Sequence, residues 1–210
     1  MDEYKTVLGY GCAEFIERRS KFIGYAKPVT TEEEAVAFIN EIKSKHWDAT
    51  HNVYAYCLQN GRKQRYSDDG EPQGTAGVPT LEVLLKSEVT DAVVVVTRYF
   101  GGILLGAGGL VRAYSYSAKI ALEAAKVITM QKCIIASFDC TYTQYGKASA
   151  IIPAMGGIID DTQFTDNVEI TFHIVEDKLA ALDKQMAEIT CGKVQIKEIA
   201  TDYFSLNRQA

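Results

Sequence analysis

From Ser67 to Ser117 the sequence reads SDDGEPQGTAGVPTLEVLLKSEVTDAVVVVTRYFGGILLGAGGLVRAYSYS, and the rest of the chain has to be arranged around this stretch. Its middle, Ala92 to Val96, is an apolar, mostly β-branched run without polar alternation, which predicts a strand covered on both faces. Eight of the sixteen glycines lie between Gly70 and Gly109, on either side of that strand. Glycine costs backbone entropy, so this density marks places where the chain turns tightly or where a ligand or second backbone comes close. The strand ends in Arg98, Tyr99 and Phe100, the run GGILLGAGGL turns the chain, and a long helix is expected from Leu110 to Lys126.

Outward from there, Pro79 to Lys86 predicts a short helix, and His51 to Leu58 a strand that turns at Asn60-Gly61 into a return partner, Arg62 to Tyr66. Glu14 to Arg18 and Lys21 to Pro28 read as two strands joined at Arg18-Arg19-Ser20-Lys21. Thr30-Thr31-Glu32-Glu33-Glu34 is a helix start, with a hydroxyl cap and acids in the first turn, followed by Ala35, Phe38, Ile39 and Ile42 at helical spacing. The fold class is therefore α+β. At Cys133 the pattern restarts: strand Ile134 to Tyr142, helix Lys147 to Met155, strands Ile158 to Phe164 and Val168 to Val175, helix Asp177 to Ile189 and strand Val194 to Tyr203. That order, β-α-β-β-α-β, is the ferredoxin-like arrangement. Two domains are expected, 1–132 and 133–210, with a short linker around Thr129 to Lys132.

A length of 210 residues suits two modest cores. No apolar run approaches the eighteen residues of a membrane span, and MDEYKTV is too polar for a signal peptide, so a cytoplasmic protein without membrane association is expected. The five cysteines are widely spaced without a C-x-x-C pair, which predicts reduced thiols, no disulfide and no zinc. The net charge of -5 excludes a generally basic nucleic-acid binder. Residues 1–132 hold sixteen basic and sixteen acidic side chains, and residues 133–210 six and eleven, so the excess (6 − 11 = −5) is all in the last part. Any RNA contact belongs on the first part.

The leading candidate chemistry is the strand-turn-helix from Val93 to Arg112. A glycine-preceded helix N-terminus offers free N–H groups and a positive dipole end to a phosphate or carboxylate. Arg98, Tyr99, Gly101, Gly102, Gly106, Gly108, Gly109 and Arg112 are the residues assigned to an anion or RNA site, with Gly108 or Gly109 expected in a backbone conformation closed to other residues. The bland alternative is that the glycines serve close packing and the arginines pair with carboxylates. A phosphate loop of G-x-x-x-x-G-K-[ST] form is absent, and in Gly106-Ala107-Gly108 the third dinucleotide-binding glycine would fall on Val111. Asp68, Asp69 and Glu71 put three carboxylates in five residues. They read as a turn or as partners for Arg65, Arg98 or Arg112 more readily than as a metal site, and His51 is placed as a secondary lining residue. His46, His51 and His173 are too scattered for a metal centre. Neither catalytic residues nor a cofactor are assigned. The basic turn Arg18 to Lys21, with Phe15, Phe22 and Tyr25 nearby, is a secondary RNA candidate against the reading of a solvated hairpin.

These residues also carry a resemblance. The runs RYSDDGEPQGTAGVPTLEVL and VVVVTRYFGGILLGAGGLVRAYSYSA, with RRSKFIGYA and ATHNVYAYCL upstream, closely resemble the YigZ/IMPACT family over essentially the whole chain. The resemblance implies an N-terminal domain similar to the second domain of ribosomal protein S5 and a C-terminal domain similar to the last domain of elongation factor G. Eukaryotic members regulate translation through the kinase that senses amino-acid starvation, using an additional RWD domain that this sequence is expected to lack. What carries over is a non-enzymatic RNA- or ribosome-associated regulator of translation. Two alternatives stand beside it: a nucleotide- or phosphate-dependent enzyme built like small-molecule kinases around the glycine loop, and a protein-protein module using Tyr99, Phe100 and the nearby acids. Oligomeric state is left open.

Overall fold

A computed structural model describes residues 3–59 and 61–205, so Asn60 of the expected Asn60-Gly61 turn lies outside the described residues. The chain divides into two compact units, one of Tyr4–Thr129 and one of Glu3 with the residues from Met130 onward.

A short strand that the sequence does not mark, β1 (Glu3–Val7), comes first in the chain, and the first unit continues with β2 (Gly11–Glu17), β3 (Ser20–Pro28), α1 (Glu32–Lys45), β4 (His51–Leu58), β5 (Lys63–Ser67), α2 (Gly77–Lys86), β6 (Ala92–Tyr99) and α3 (Ala107–Ala125). The sheet order is β2-β3-β6-β4-β5, with antiparallel neighbours throughout. The apolar run is its central strand, β6, and Ala92 to Val96 are fully buried. Burial on both faces arises here within an antiparallel sheet because helices cover both sides. Val93 and Val95 meet Ala35, Phe38, Ile39 and Ile42 of α1, while Ala92, Val94 and Val96 meet Leu81 and Leu84 of α2 and Leu110, Ala113 and Tyr114 of α3. Helix α1 begins as its sequence requires. Thr31 accepts from the Glu34 backbone N–H at 3.2 Å, and Glu34 reaches back to the Thr31 N–H at 3.4 Å.

Strand β7 (Val127–Cys140) begins on the β-branched run Val127, Ile128 and Thr129 and continues unbroken through the linker expected at Thr129 to Lys132. The second unit continues with α4 (Tyr142–Ala154), β8 (Ile158–Phe164), β9 (Val168–Val175), a 3₁₀ turn at Glu176–Lys178, α5 (Leu179–Thr190) and β10 (Lys197–Phe204). Helix α4 starts earlier than its apolar spacing indicates, since Thr141 and Gln144 form a capping box. Four strands of a five-stranded sheet that also holds β1 run β10-β7-β9-β8, all antiparallel, the strand order of a β-α-β-β-α-β unit whose first and third strands are central. One face carries Ile134, Ala136, Phe138, Ile170, Phe172 and Ile174 against Ile152, Leu182 and Met186 of the two helices. Among the described residues no helix is long and apolar enough to cross a membrane.

Candidate functional site

Arg98 is expected at the end of the buried strand, as one flank of an anion site. It sits near the end of β6, but β3 and β4 flank it on both sides, opposite Phe22 and His51, and the residue is only 5% exposed. A guanidinium taken out of water needs a counter-charge, and Glu71 supplies it. Arg98 Nη1 lies 2.5 Å from Glu71 Oε1, and both side chains are buried. Tyr114 of α3 donates to the same oxygen at 2.8 Å, Ser20 Oγ lies 3.4 Å from Arg98 Nη2, and His51 Nε2 stands 3.7 Å from Glu71 Oε1. The His51 Nδ1 is 2.8 Å from the Asp69 carbonyl. Burial, and then the Glu71 carboxylate, push the Tyr114 hydroxyl far above its ordinary pKa, so it remains a donor. The Arg98 guanidinium lies between the rings of Phe22 and Phe100, at 5.5 and 5.4 Å. The expectation of Arg98 as a phosphate ligand is corrected: it is the cation of a buried ion pair, and only its Nε lacks a partner. Tyr99 points to the other side of the strand, where its hydroxyl donates to Asp48 at 3.0 Å and meets His46 Nδ1 at 2.8 Å, while His46 Nε2 meets Tyr25 at 2.6 Å. Burial, then Lys45, lower the His46 pKa.

The remaining secondary residues separate into structural roles. Asp68 accepts from the backbone N–H groups of Gly74, Ala76 and Gly77 at 2.9, 3.1 and 2.7 Å, and so caps the start of α2. Asp69 accepts from Lys43 at 2.7 Å and from the Asn52 N–H at 2.6 Å. Arg65 is exposed on β5 and donates to the Gln64 carbonyl at 3.3 Å. No group of metal-ligating side chains with suitable geometry occurs among the described residues.

The glycine run is used differently from expectation. Gly108 and Gly109 are ordinary helical residues; the left-handed conformation falls on Gly102 (φ +83°) and on Gly106 (φ +70°), which caps α3. Gly101 is required by close approach, since a Cβ there would stand 2.1 Å from the Arg19 carbonyl carbon. The hairpin thus buttressed places Arg18 and Arg19 in left-handed conformations, φ 45° and 67°, in a two-residue turn where β-branch-free but side-chain-bearing residues are strained.

What the hairpin and α3 enclose is a groove of about 300 Å³ lined by Phe15, Glu17, Arg18, Leu105, Gly109, Arg112, Ala113 and Tyr116. Arg112 is exposed one turn into α3 and its guanidinium lies over Gly108, 3.7 Å from where a Cβ would be. The first turn of α3 carries no acid and no side-chain cap, so its positive end is uncompensated by the chain itself. Arg18 approaches Glu17 at 4.0 Å in an exposed pair of little strength. Phe15 stacks on Phe22, with ring centroids 5.2 Å apart, and meets Tyr116 edge-on at 4.9 Å; Tyr116 is 51% exposed. Of the two arginines expected to flank the glycine turn, Arg112 alone faces solvent, and the second arginine lining this groove is Arg18. The signal for Arg18 was in the basic turn with its neighbouring aromatics.

Residues 18–122 match the profile of the Impact N-terminal domain. The chain is 42% identical to the IMPACT family member YvyE of Bacillus subtilis over 199 residues, 94% of this chain and 92% of that one. This chain belongs to the IMPACT family. It is also 32% identical to the family member YigZ of Escherichia coli, over 87% of this chain and 91% of the relative. Residues 138–193 match a domain of unknown function, DUF1949. A crystal structure described as that of a hypothetical protein superposes with a TM-score of 0.61 at 29% identity, covering 95% of this chain and 98% of that one. Arg18, Arg112 and Tyr116 all fall inside the IMPACT N-terminal match, whereas Phe15 and Glu17 lie just before it.

Proposed function

We propose that this IMPACT-family protein is a regulator of translation that binds RNA, free or on the ribosome, through the groove between the β2–β3 hairpin and α3, without itself catalysing a reaction. The observation that carries this reading is the composition of that groove: two guanidiniums against one carboxylate, with two aromatic rings beside them. Phosphates are bound by such cations and bases stack on such rings. The family resemblance supports the translational setting, as do the implied likenesses of the N-terminal unit to the second domain of ribosomal protein S5 and of the C-terminal unit to the last domain of elongation factor G. A net charge of -5 restricts the contact to a local site, so binding should be moderate and strongly salt-dependent.

The test is co-sedimentation with ribosomes at graded salt. The expected outcome is binding at low ionic strength that is lost as salt rises, with Arg112→Ala weakening it at each salt concentration. Failure of the wild-type protein to pellet with ribosomes or to bind ribosomal RNA at low salt would remove the reading, as would turnover of ATP with magnesium by the purified protein.

A further inference from the structure

We propose that the groove takes one unpaired nucleotide, its base stacked on the exposed ring of Tyr116, which Phe15 braces edge-on, and its phosphate between Arg18 and Arg112, so that the protein selects single-stranded RNA over duplex. This rests on the RNA-binding reading above and adds the strandedness of the ligand.

A site for phosphate alone has no use for exposed aromatic surface, yet Tyr116 leaves about half of itself in solvent and stands edge-on to Phe15 beside both arginines. Leu105 and Ala113 extend the apolar part of the lining. In a duplex the base faces are stacked on one another and only the sugar-phosphate backbone and groove edges are presented, so a ring placed for stacking is satisfied only by an unpaired base. A volume of about 300 Å³ is at the small end of ligand sites, the scale of a single nucleotide.

The geometry also holds its cations in place. Arg18 sits in a two-residue turn whose backbone is pinned where Arg19 packs on Gly101, and Arg112 lies on the first turns of a nineteen-residue helix. Side chains mounted on fixed backbone lose less freedom on binding than those on mobile loops. Along α3, Arg112, Tyr116 and Lys119 follow at four- and three-residue spacing, which puts cation, ring and cation on one stripe. Lys119 is shared with Glu123 at 3.7 Å, an exposed pair that a phosphate can displace. An acidic peptide would satisfy the guanidiniums but leave the rings unused.

The experiment measures fluorescence anisotropy of the full chain with an oligouridine of about ten nucleotides and with a G·C-rich RNA duplex of equal length, each across a salt series. Single strands should bind at least about tenfold more tightly than the duplex. Tyr116→Leu should lose about tenfold on the single strand while keeping its salt slope, and Tyr116→Phe should retain binding. Arg112→Gln should flatten the slope. Equal affinity for the two RNAs, or unaltered single-strand binding in Tyr116→Leu, would overturn the nucleotide site and leave RNA binding standing. Binding of polyglutamate but of neither RNA would overturn both readings. The comparison of strands uses the wild-type chain and stands whether or not the Leu variant folds.

Discussion

Arg98 shows how far burial redirects a residue's chemistry. Its charge is compensated by Glu71, which also accepts from Tyr114 and faces His51, so removing either partner strands a charge in the interior. Arg98→Ala should destabilise the fold by about 3–5 kcal/mol, checked by thermal and urea denaturation, and Glu71→Gln should do so in the same direction. The sequence showed an arginine and an acid twenty-seven residues apart, both plausible partners, but not that the strand end is enclosed by two neighbours. That enclosure is a tertiary fact. The glycines divide the same way. Gly102→Ala and Gly106→Ala should each cost roughly 1 kcal/mol or more because their φ is positive, and Gly108→Ala should be neutral or stabilising within the helix. Their density was legible; which of them bend the chain depends on where α3 starts, and Ala107 rather than Leu110 begins it. His46, held neutral between Tyr25 and Tyr99, gives a pH dependence. Its folded pKa is lowered, so the unfolded chain takes up the proton first and stability falls as pH drops below the ordinary histidine value of about 6.5. Melting measured between about pH 8 and pH 5 should show this decline, and His46→Gln should reduce it.

At the level of elements, the strands with the strongest local signals fell where the sequence placed them. β4, β8 and β9 have the expected bounds, and β6 is buried on both faces as its unbroken apolar run requires. α1 was marked by its threonines and glutamates, and Thr31→Ala should cost about 1 kcal/mol in thermal denaturation by removing the cap. Less legible were β1, too short and polar to stand out, and the stretch Thr129 to Lys132, whose mixed polar composition reads as a linker but continues β7. The β2–β3 hairpin is the most informative element. Two arginines occupy a turn suited to Asn-Gly, which natural sequences tolerate where the side chains are needed. Arg19→Gly should therefore raise stability by about 1 kcal/mol while leaving Arg18 in place, as read by the unfolding midpoint in urea.

Across the whole molecule, the two-unit division reflects two separate helix-covered sheets. The acidic balance of the C-terminal part and the groove's position on the N-terminal unit both assign the proposed RNA contact to residues 4–129. The site was half legible: the glycine turn and Arg112 were marked, but the sequence paired Arg112 with Arg98 because they flank that turn, whereas the fold brings Arg18 across from a distant hairpin. The central claim is that Arg112 binds phosphate and Arg98 holds the fold. The most direct test measures melting and RNA affinity against salt on Arg112→Ala and Arg98→Ala in parallel. Arg112→Ala should melt with the wild type and flatten the log-log salt dependence by roughly 0.7 for single strands, while Arg98→Ala should melt well below it. An Arg112→Ala protein with unaltered affinity and slope, or an Arg98→Ala protein of wild-type stability, would contradict the account.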